Sequence, residues 1–339
     1  MGSIVKRIGY MGWLGHRNIG DEACFEAIKG LLSPQDIKWL TWDARAWKHG
    51  AFPDLCILGG GTIFDIRLDR RGKGLRQMLH KKVPIVIWGT GVMPLSAPKR
   101  PIRSKMHPTA LAILKHAKFV GVRGPISYKN LSSTGFSGAK VIGDPAIILS
   151  TDTPNAGLES KKIAINIGNT HTNLFGTEQY VVQETKKLVK YLTEDGFDVV
   201  LFSVWPQDNK FLKQIPLTKN VSLRPWHPSS TNLIDFFKTC RCVIGLKLHT
   251  SVLSAAANVP FISIAYREKC FDFAQSVGLP KWAVRSDAKN WSHRVHKMTK
   301  MLPTYYDVIV NRIKHHKEKY YKDHVKLSKL VTNLLWKAK

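Results

Sequence analysis

In the segment VIGLKLHTSVLSAAA (243–257) an apolar run reaches Gly245, Lys247 and His249 follow two residues apart, and a small-residue helical pattern begins. Lys247 and His249 alternate with apolar neighbours, so they share a face if the strand is still extended there. A lone histidine in such a place is often a satisfied core residue, but a lysine is hard to bury without a partner. A cation and an imidazole beside a helix start make a site for an oxyanion. Arg123 in VGVRGP holds an equivalent position in the first half of the chain, and Arg267 and Lys269 in AYREK follow the next apolar run. Arginine, lysine and histidine converging from both halves would suit a phosphate or a carboxylate. Histidine titrates near neutral pH and is the natural proton carrier of the set. On the acidic side, Asp21 opens the helical run DEACFEAIKGLL, where the structural reading is a carboxylate favouring a helix N-terminus.

Such side chains need strand ends to stand on, and the sequence supplies them. SIVKRIGYMGW (3–13), DIKWLTW, DLCILGGG (54–61), VPIVIWGTG (83–91), FVGVRGP (119–125) and AKVIGDPAI (139–147) read as strands with helical patterns between several of them. Continuous Val, Ile and Leu in such strands indicate a parallel sheet covered on both faces. The polar stretch STDTPNAGLESK (150–161) reads as a linker. The design then restarts with KIAINIG (162–168), a helix over 177–195, FDVVLFSVW (197–205), the helical NLIDFFKTC leading into RCVIGL, and VPFISIAY (259–266). The expected fold is therefore α/β, with two Rossmann-like doubly wound domains facing across a cleft: 1–150, 151–300, and a basic helical segment at 301–339.

Ligands of open parallel sheets bind beyond the carboxyl ends of the strands. Glycines cluster there, at Gly12 and Gly15, Gly59 to Gly61 (with Gly60 at the centre), Gly89 and Gly91, Gly121 and Gly124, and Gly245. One glycine turn is weak evidence, because such turns also simply pack, but the set favours a ligand cleft. The chain lacks G-x-G-x-x-G followed by the expected acid, which argues against a nicotinamide dinucleotide, and it has no P-loop. It has no H-E-x-x-H or paired C-x-x-C, which argues against zinc, and no acidic D-x-D cluster at a strand end to anchor a metal-held nucleotide diphosphate.

The bulk composition sets the outer limits. Hydrophobic residues make up 44% and charged residues 22% of 339 residues, as in a soluble globular protein. No run reaches the roughly 18–20 apolar residues of a membrane span, and MGSIVKRIGYMGWLG reads as neither a signal peptide nor a myristoylation site. The five cysteines are scattered and are expected to be reduced and structural, with the cytoplasm as the compartment. The formal charge is +28. Such a field attracts nucleic acid, anionic lipid or a polyanionic substrate, or simply keeps the protein soluble. No nucleic-acid signature accompanies it, so no specific nucleic acid is expected. From Lys297 to Lys339, eleven Lys and Arg stand against three Asp and Glu. Tyr306, Val310, Ile313, Tyr320, Leu327, Leu330 and Leu334 trace one helical face. This is either a helix packed on the domains with a solvated basic back, or a surface for an anionic membrane or a lipid-linked substrate.

The motifs GHRNIGDEA, ILGGGTIFD, VGVRGPIS, GDPA and GLKLHTSVLSAA, in that order over roughly residues 9–280, resemble those of the polysaccharide pyruvyl transferase family. The resemblance implies two Rossmann-like domains of GT-B type. It also implies transfer of pyruvate from phosphoenolpyruvate, as co-substrate and with no cofactor, to a sugar of a cell-surface polysaccharide or other glycan as a ketal, with release of phosphate. Arg123 matches the arginine of the family's V-G-V-R segment, His249 the histidine of its G-x-R-L-H segment, and Asn18, Gly20 and Asp21 its N-x-G-D-E start. Lys247 stands where the family usually has arginine, and so keeps the charge without the bidentate fork. On this reading His249 and Asp21 are catalytic. Arg123, Lys247, Asn18, Gly60, Arg267 and Lys269 bind the donor. Asp65 and Trp13 face the acceptor glycan, lipid-linked in one version, and no metal is required. The competing classes are a GT-B glycosyltransferase using a nucleotide sugar and a non-enzymatic polyanion-binding protein.

Overall fold

The computed structural model of the chain describes residues 5–32, 37–42, 50–65, 72–93, 106–171 and 174–336. It divides into two compact units. Unit 1 comprises Met1–His16, Asp21–Ala146 and Tyr320–Lys339; unit 2 comprises Arg17–Gly20 and Ile147–Lys319.

Unit 1 contains β1 (Lys6–Met11), most of α1 (Ile19–Leu31), β2 (Ile37–Trp42), β3 (Leu55–Leu58), β4 (Phe64–Asp65), α2 (Gly72–His80), β5 (Ile85–Thr90), β6 (Val92–Met93), α3 (Pro108–His116), β7 (Phe119–Val122), α4 (Pro125–Ser132) and β8 (Ala139–Val141). Six strands form one sheet in the order β2-β1-β3-β5-β7-β8, with every pairing parallel. The short β4 and β6 pair separately. All four side chains of β3 and all six residues of β5 are buried, as expected of strands covered on both faces. One core lies around Met11, Leu58, Ile87 and Val122, and the other around Ile8, Tyr10, Ile57 and Trp88.

Unit 2 contains β9 (Lys162–Asn166), α5 (Glu178–Glu194), β10 (Asp198–Leu201), α6 (Asn209–Leu212), β11 (Val221–Leu223), α7 (Ser230–Lys238), β12 (Cys242–Gly245), α8 (Leu248–Ala256), β13 (Phe261–Ala265), α9 (Glu268–Ser276), β14 (Ala283–Arg285) and the start of the long α10 (Trp291–Trp336). Its parallel sheet runs β11-β10-β9-β12-β13-β14. Local chemistry starts its helices: Thr177 Oγ1 accepts from Tyr180 N at 3.2 Å and Ser229 Oγ from Asn232 N at 3.1 Å, the usual side-chain caps. Both units are Rossmann-like. Strand order reverses between β1 and β3 in unit 1 and between β9 and β12 in unit 2. Those switch points are where such sheets bind ligands.

The partition differs from the expected 1–150, 151–300 and 301–339. Unit 1 ends its second stretch at Ala146, residues Arg17–Gly20 belong to unit 2, and the terminal segment is no separate piece. α10 begins at Trp291, before its basic character becomes visible, because Trp291, Val295 and Leu302 already supply a buried face. Its last turns belong to unit 1, where Leu327, Val331 and Leu335 pack against Ile8, Ile57 and Trp88. The expected stripe is right in phase through Val310, Ile313, Tyr320 and Leu327. Beyond it, Val331 and Leu335 take the deep positions, with Leu330 and Leu334 partly buried beside them. All five cysteines are buried, and none is in a disulfide. Among the described residues, no helix is long and apolar enough to cross a membrane.

Candidate active site

In unit 2 the chemistry gathers at the switch point. β12 ends at Gly245, Lys247 is the cap residue of α8 in extended conformation (φ −74°, ψ 140°), and His249 lies in the first turn of that helix. The backbone is still extended at Lys247 but helical at His249, so the two side chains are not neighbours on one strand face. The turn sends them to different partners.

Lys247 goes to Asp208. Its Nζ lies 3.5 Å from Asp208 Oδ1, donates to the carbonyl of Asn169, and sits 5.4 Å from the centre of the Trp205 ring. Asp208 is fully buried. Its Oδ1 accepts from Asn169 N at 3.1 Å, and its Oδ2 from Val204 N at 3.2 Å and Trp205 N at 3.1 Å. Burial pushes this carboxyl above the ordinary aspartate range, and the Lys247 charge and the backbone N–H groups pull against it. Asn166, at the end of β9, completes the clamp: its Nδ2 donates to Phe202 O at 2.9 Å and its Oδ1 accepts from Lys247 N at 3.4 Å. Lys247 therefore shares its charge with a buried carboxylate and ties three strand-end loops together.

His249 is 7% exposed and lies against the start of α1. A Cβ added to Gly20 would stand 1.9 Å from its Nδ1. Only glycine lets the imidazole approach this backbone. The turn carrying Gly20 is itself well fixed. Asn18 Oδ1 accepts from Gly20 N at 3.1 Å, and Ile19 N donates to Val204 O at 3.1 Å. Asn18 is therefore a side-chain cap of α1, and Asp21 lies inside the first turn of the helix. Arg17, in the left-handed region at φ 59°, holds its guanidinium 4.7 Å from the centre of the Trp226 ring. Arg267 caps α9 in extended conformation, and Lys269 Nζ stands 4.9 Å from the centre of the Tyr266 ring.

Unit 1 carries its own cluster at the ends of β3, β5 and β7. Arg123 is 1% exposed. Its backbone N donates to Thr90 O at 3.0 Å and its guanidinium donates to Thr62 Oγ1 at 3.4 Å. A Cβ on Gly91 would meet that guanidinium at 2.4 Å. Thr90 Oγ1 donates to Gly61 O at 3.0 Å, and Gly91 N to the same carbonyl at 2.7 Å. Asp21 Oδ1 comes within 2.7 Å of where a Cβ on Gly61 would be, so the carboxylate leans on the glycine loop. Gly60 is close-packed from the protein side, with Cys24 Sγ 2.3 Å from a Cβ placed there. Trp13, half-buried after β1, stacks on His16 with ring centres 4.5 Å apart. The Asp65 backbone ends β4, and its side chain lies outside the described residues.

In unit 2 the structure thus places Lys247 with Asp208 and His249 with the Asn18–Gly20 turn, and in unit 1 it places Arg123, Asp21 and Gly60 at the glycine loop. Sequence reasoning missed Asp208, Asn166 and Asn169. Asp208 had a readable signal: it falls in the first helical turn after Trp205-Pro206, where an acid is placed to accept free N–H groups.

The profile described as polysaccharide pyruvyl transferase matches residues 18–268. Comparison with curated protein sequences finds none that matches. Among solved structures, S. aureus MnaA with UDP is similar at TM-score 0.58 and 11% identity, covering 93% of this chain and 92% of that one. A glycotransferase of kitacinnamycin is similar at TM-score 0.57 and 9% identity, over 98% and 99% of the two chains. Phytolacca americana UGT2 with UDP-2fluoro-glucose and pterostilbene follows at TM-score 0.54 and 11% identity, over 97% and 100%. At these identities the likeness is one of fold, the GT-B-like fold of two Rossmann-like domains.

Proposed function

Because the chain belongs to the polysaccharide pyruvyl transferase family, it is a transferase of polysaccharide modification, and we propose that it moves pyruvate from phosphoenolpyruvate to a sugar as a ketal. The observation that carries this reading is the seat of His249. The imidazole stands in the first turn of α8 at the switch point of its sheet, held on a glycine that no larger residue could replace without moving it.

The reaction needs a held trianion, a proton for C3 of the donor and a base for the sugar hydroxyls. Protonation of C3 leaves C2 with oxocarbenium character, and a sugar oxygen bonds to C2 as its hydroxyl proton departs. The C2–O bond to phosphate then breaks with its electron pair on the leaving oxygen. A second hydroxyl adds to C2, loses its proton and closes the ring. The sum is donor plus diol giving ketal plus phosphate. In this scheme His249 carries protons, to C3 or to the departing phosphate. The candidate cations for the phosphate and carboxylate are Arg123 of unit 1 and, in unit 2, Arg267 and Lys269, each set taken by itself. Asn18 and Gly60 shape the donor's surroundings, Lys247 acts with Asp208 to set the loop that precedes His249, and Asp21 or Asp65 serves the acceptor beside Trp13.

The test is phosphate release from phosphoenolpyruvate with a panel of glycans, free and lipid-linked, and product mass to detect one added pyruvate. His249→Ala is expected to remove turnover while the melting temperature holds. Nucleotide release from a nucleotide sugar, with no phosphate from phosphoenolpyruvate, would instead favour the glycosyltransferase reading.

A further inference from the structure

Exposed large apolar side chains are common singly on protein surfaces, but three in register on one helix form a surface. Met301, Tyr305 and Val308 are 46%, 43% and 48% exposed. They lie at i, i+4 and i+7 of α10, on one line about 10 Å long along the helix. The buried face of the same stretch carries Val295, Leu302, Ile309 and Ile313, so these three lie outside it. The ring of Trp282, in the turn before β14, meets Tyr305 with centres 6.5 Å apart, and the neighbouring Lys281 is exposed. The same exposed sector continues with Arg294 and Lys297 on one side and Arg312, His315 and Lys319 on the other, all exposed. Asp307 and Glu318 are the acids between Trp291 and Lys319.

We propose that this face of α10 is a docking surface for an anionic lipid bilayer. The row lies flat along the helix, as a planar interface requires. Its aromatic pair is of the type that sits at headgroup depth, and the flanking cations complement anionic headgroups. A second copy of this chain is a poor occupant, because the same cations would face each other. Nucleic acid would satisfy the cations but leave Met301 and Val308 in water. The proposal is independent of which donor the enzyme uses.

The experiment is co-sedimentation of the full chain with vesicles of phosphatidylcholine alone and with about one third phosphatidylglycerol. Wild type is expected to bind the anionic vesicles and not the neutral ones. The triple variant Met301→Ser, Tyr305→Ser, Val308→Ser should lose about tenfold in partitioning, and Arg294→Glu with Lys297→Glu should lose at least as much. Because the altered side chains are exposed, circular dichroism and melting should match wild type, and phosphate release with a free, water-soluble glycan should not change. Wild type that ignores anionic vesicles would overturn the proposal. So would a triple variant that binds as well as wild type, since that is the behaviour of a charged surface without insertion. Retention on RNA with no vesicle binding would assign the cations to nucleic acid instead.

Discussion

Gly20→Ala is the sharpest probe of the site. A Cβ at that position would stand 1.9 Å from His249 Nδ1, 2.1 Å from its Cγ and 2.5 Å from its Cβ, whereas ordinary contact begins at 3.4 Å. The imidazole and the first turn of α1 must therefore separate by about 1.5 Å (3.4 minus 1.9). His249 is 7% exposed, so its ring has little room to swing outward. A misplacement of about 1 Å in a reacting group costs on the order of 100-fold in rate. Turnover should thus fall by about 100-fold or more. Helix propensity works the other way, since alanine in a helix is favoured over glycine by up to about 1 kcal/mol. Any loss therefore reports the collision and not a weaker helix. Gly30→Ala is the matched control on the same helix: nothing lies within 4 Å of its Cβ position, so it should keep full activity and gain a little stability. The assay is kcat and KM for phosphate release from phosphoenolpyruvate, with melting followed by circular dichroism. Gly20→Ala with kcat within twofold of wild type would refute the claim that the seat of His249 matters to the reaction.

Other outcomes test the same frame. Lys247→Met should destabilise unit 2 by about 3–5 kcal/mol, because it strands the buried Asp208 carboxylate; a variant with unchanged melting and only a raised donor KM would show Lys247 to be a simple anion ligand. Arg123→Lys should raise donor KM strongly while kcat falls less, and an unchanged KM would place the anion elsewhere. His324 is buried, its Nδ1 accepts from Trp88 Nε1 at 2.8 Å, and burial lowers its pKa to about 4. Its neutral form is favoured by folding, so its contribution to stability should be constant above about pH 6.5 and fall as pH drops toward 4, by about 3 kcal/mol in all. Trp88 fluorescence in urea titrations would follow this, and His324→Gln should flatten the profile. Lys317, which donates to Leu149 O and Ala256 O, is lowered to about 8 by burial and by Lys238. Stability of unit 2 should therefore rise between pH 8 and about 10.5, and Lys317→Met should remove that rise.

The parallel sheets were legible because strands such as Leu55–Leu58 and the Ile-Val-Ile-Trp run that opens Ile85–Thr90 carry consecutive apolar residues, as double-sided burial requires. The residues at their ends could be named because chemistry in such folds gathers there. What was not legible was direction. Lys247 and His249 look paired in the sequence, yet one residue of capping geometry separates their fates, and a cap is decided by where the helix begins. Asp208 went unread because nothing in the Trp205-Pro206 loop tells which distant cation will cover it. The short β4 and β6 are two residues each, too brief for any periodicity. The α10 boundary was misplaced because charge draws the eye to Lys297 while burial starts at Trp291.

The chain leaves unit 1 at Ala146 and comes back to it only at Tyr320. During synthesis the first-made sheet must wait, with Ile8, Ile57 and Trp88 lacking the cover of Leu327, Val331 and Leu335, until those three leucine and valine side chains have been added roughly 240 residues after Trp88. Unit 1, begun before unit 2, is thus completed after it. A ribosome that stopped short, or a protease that clipped the tail, would leave it with an open apolar seam for chaperones to find.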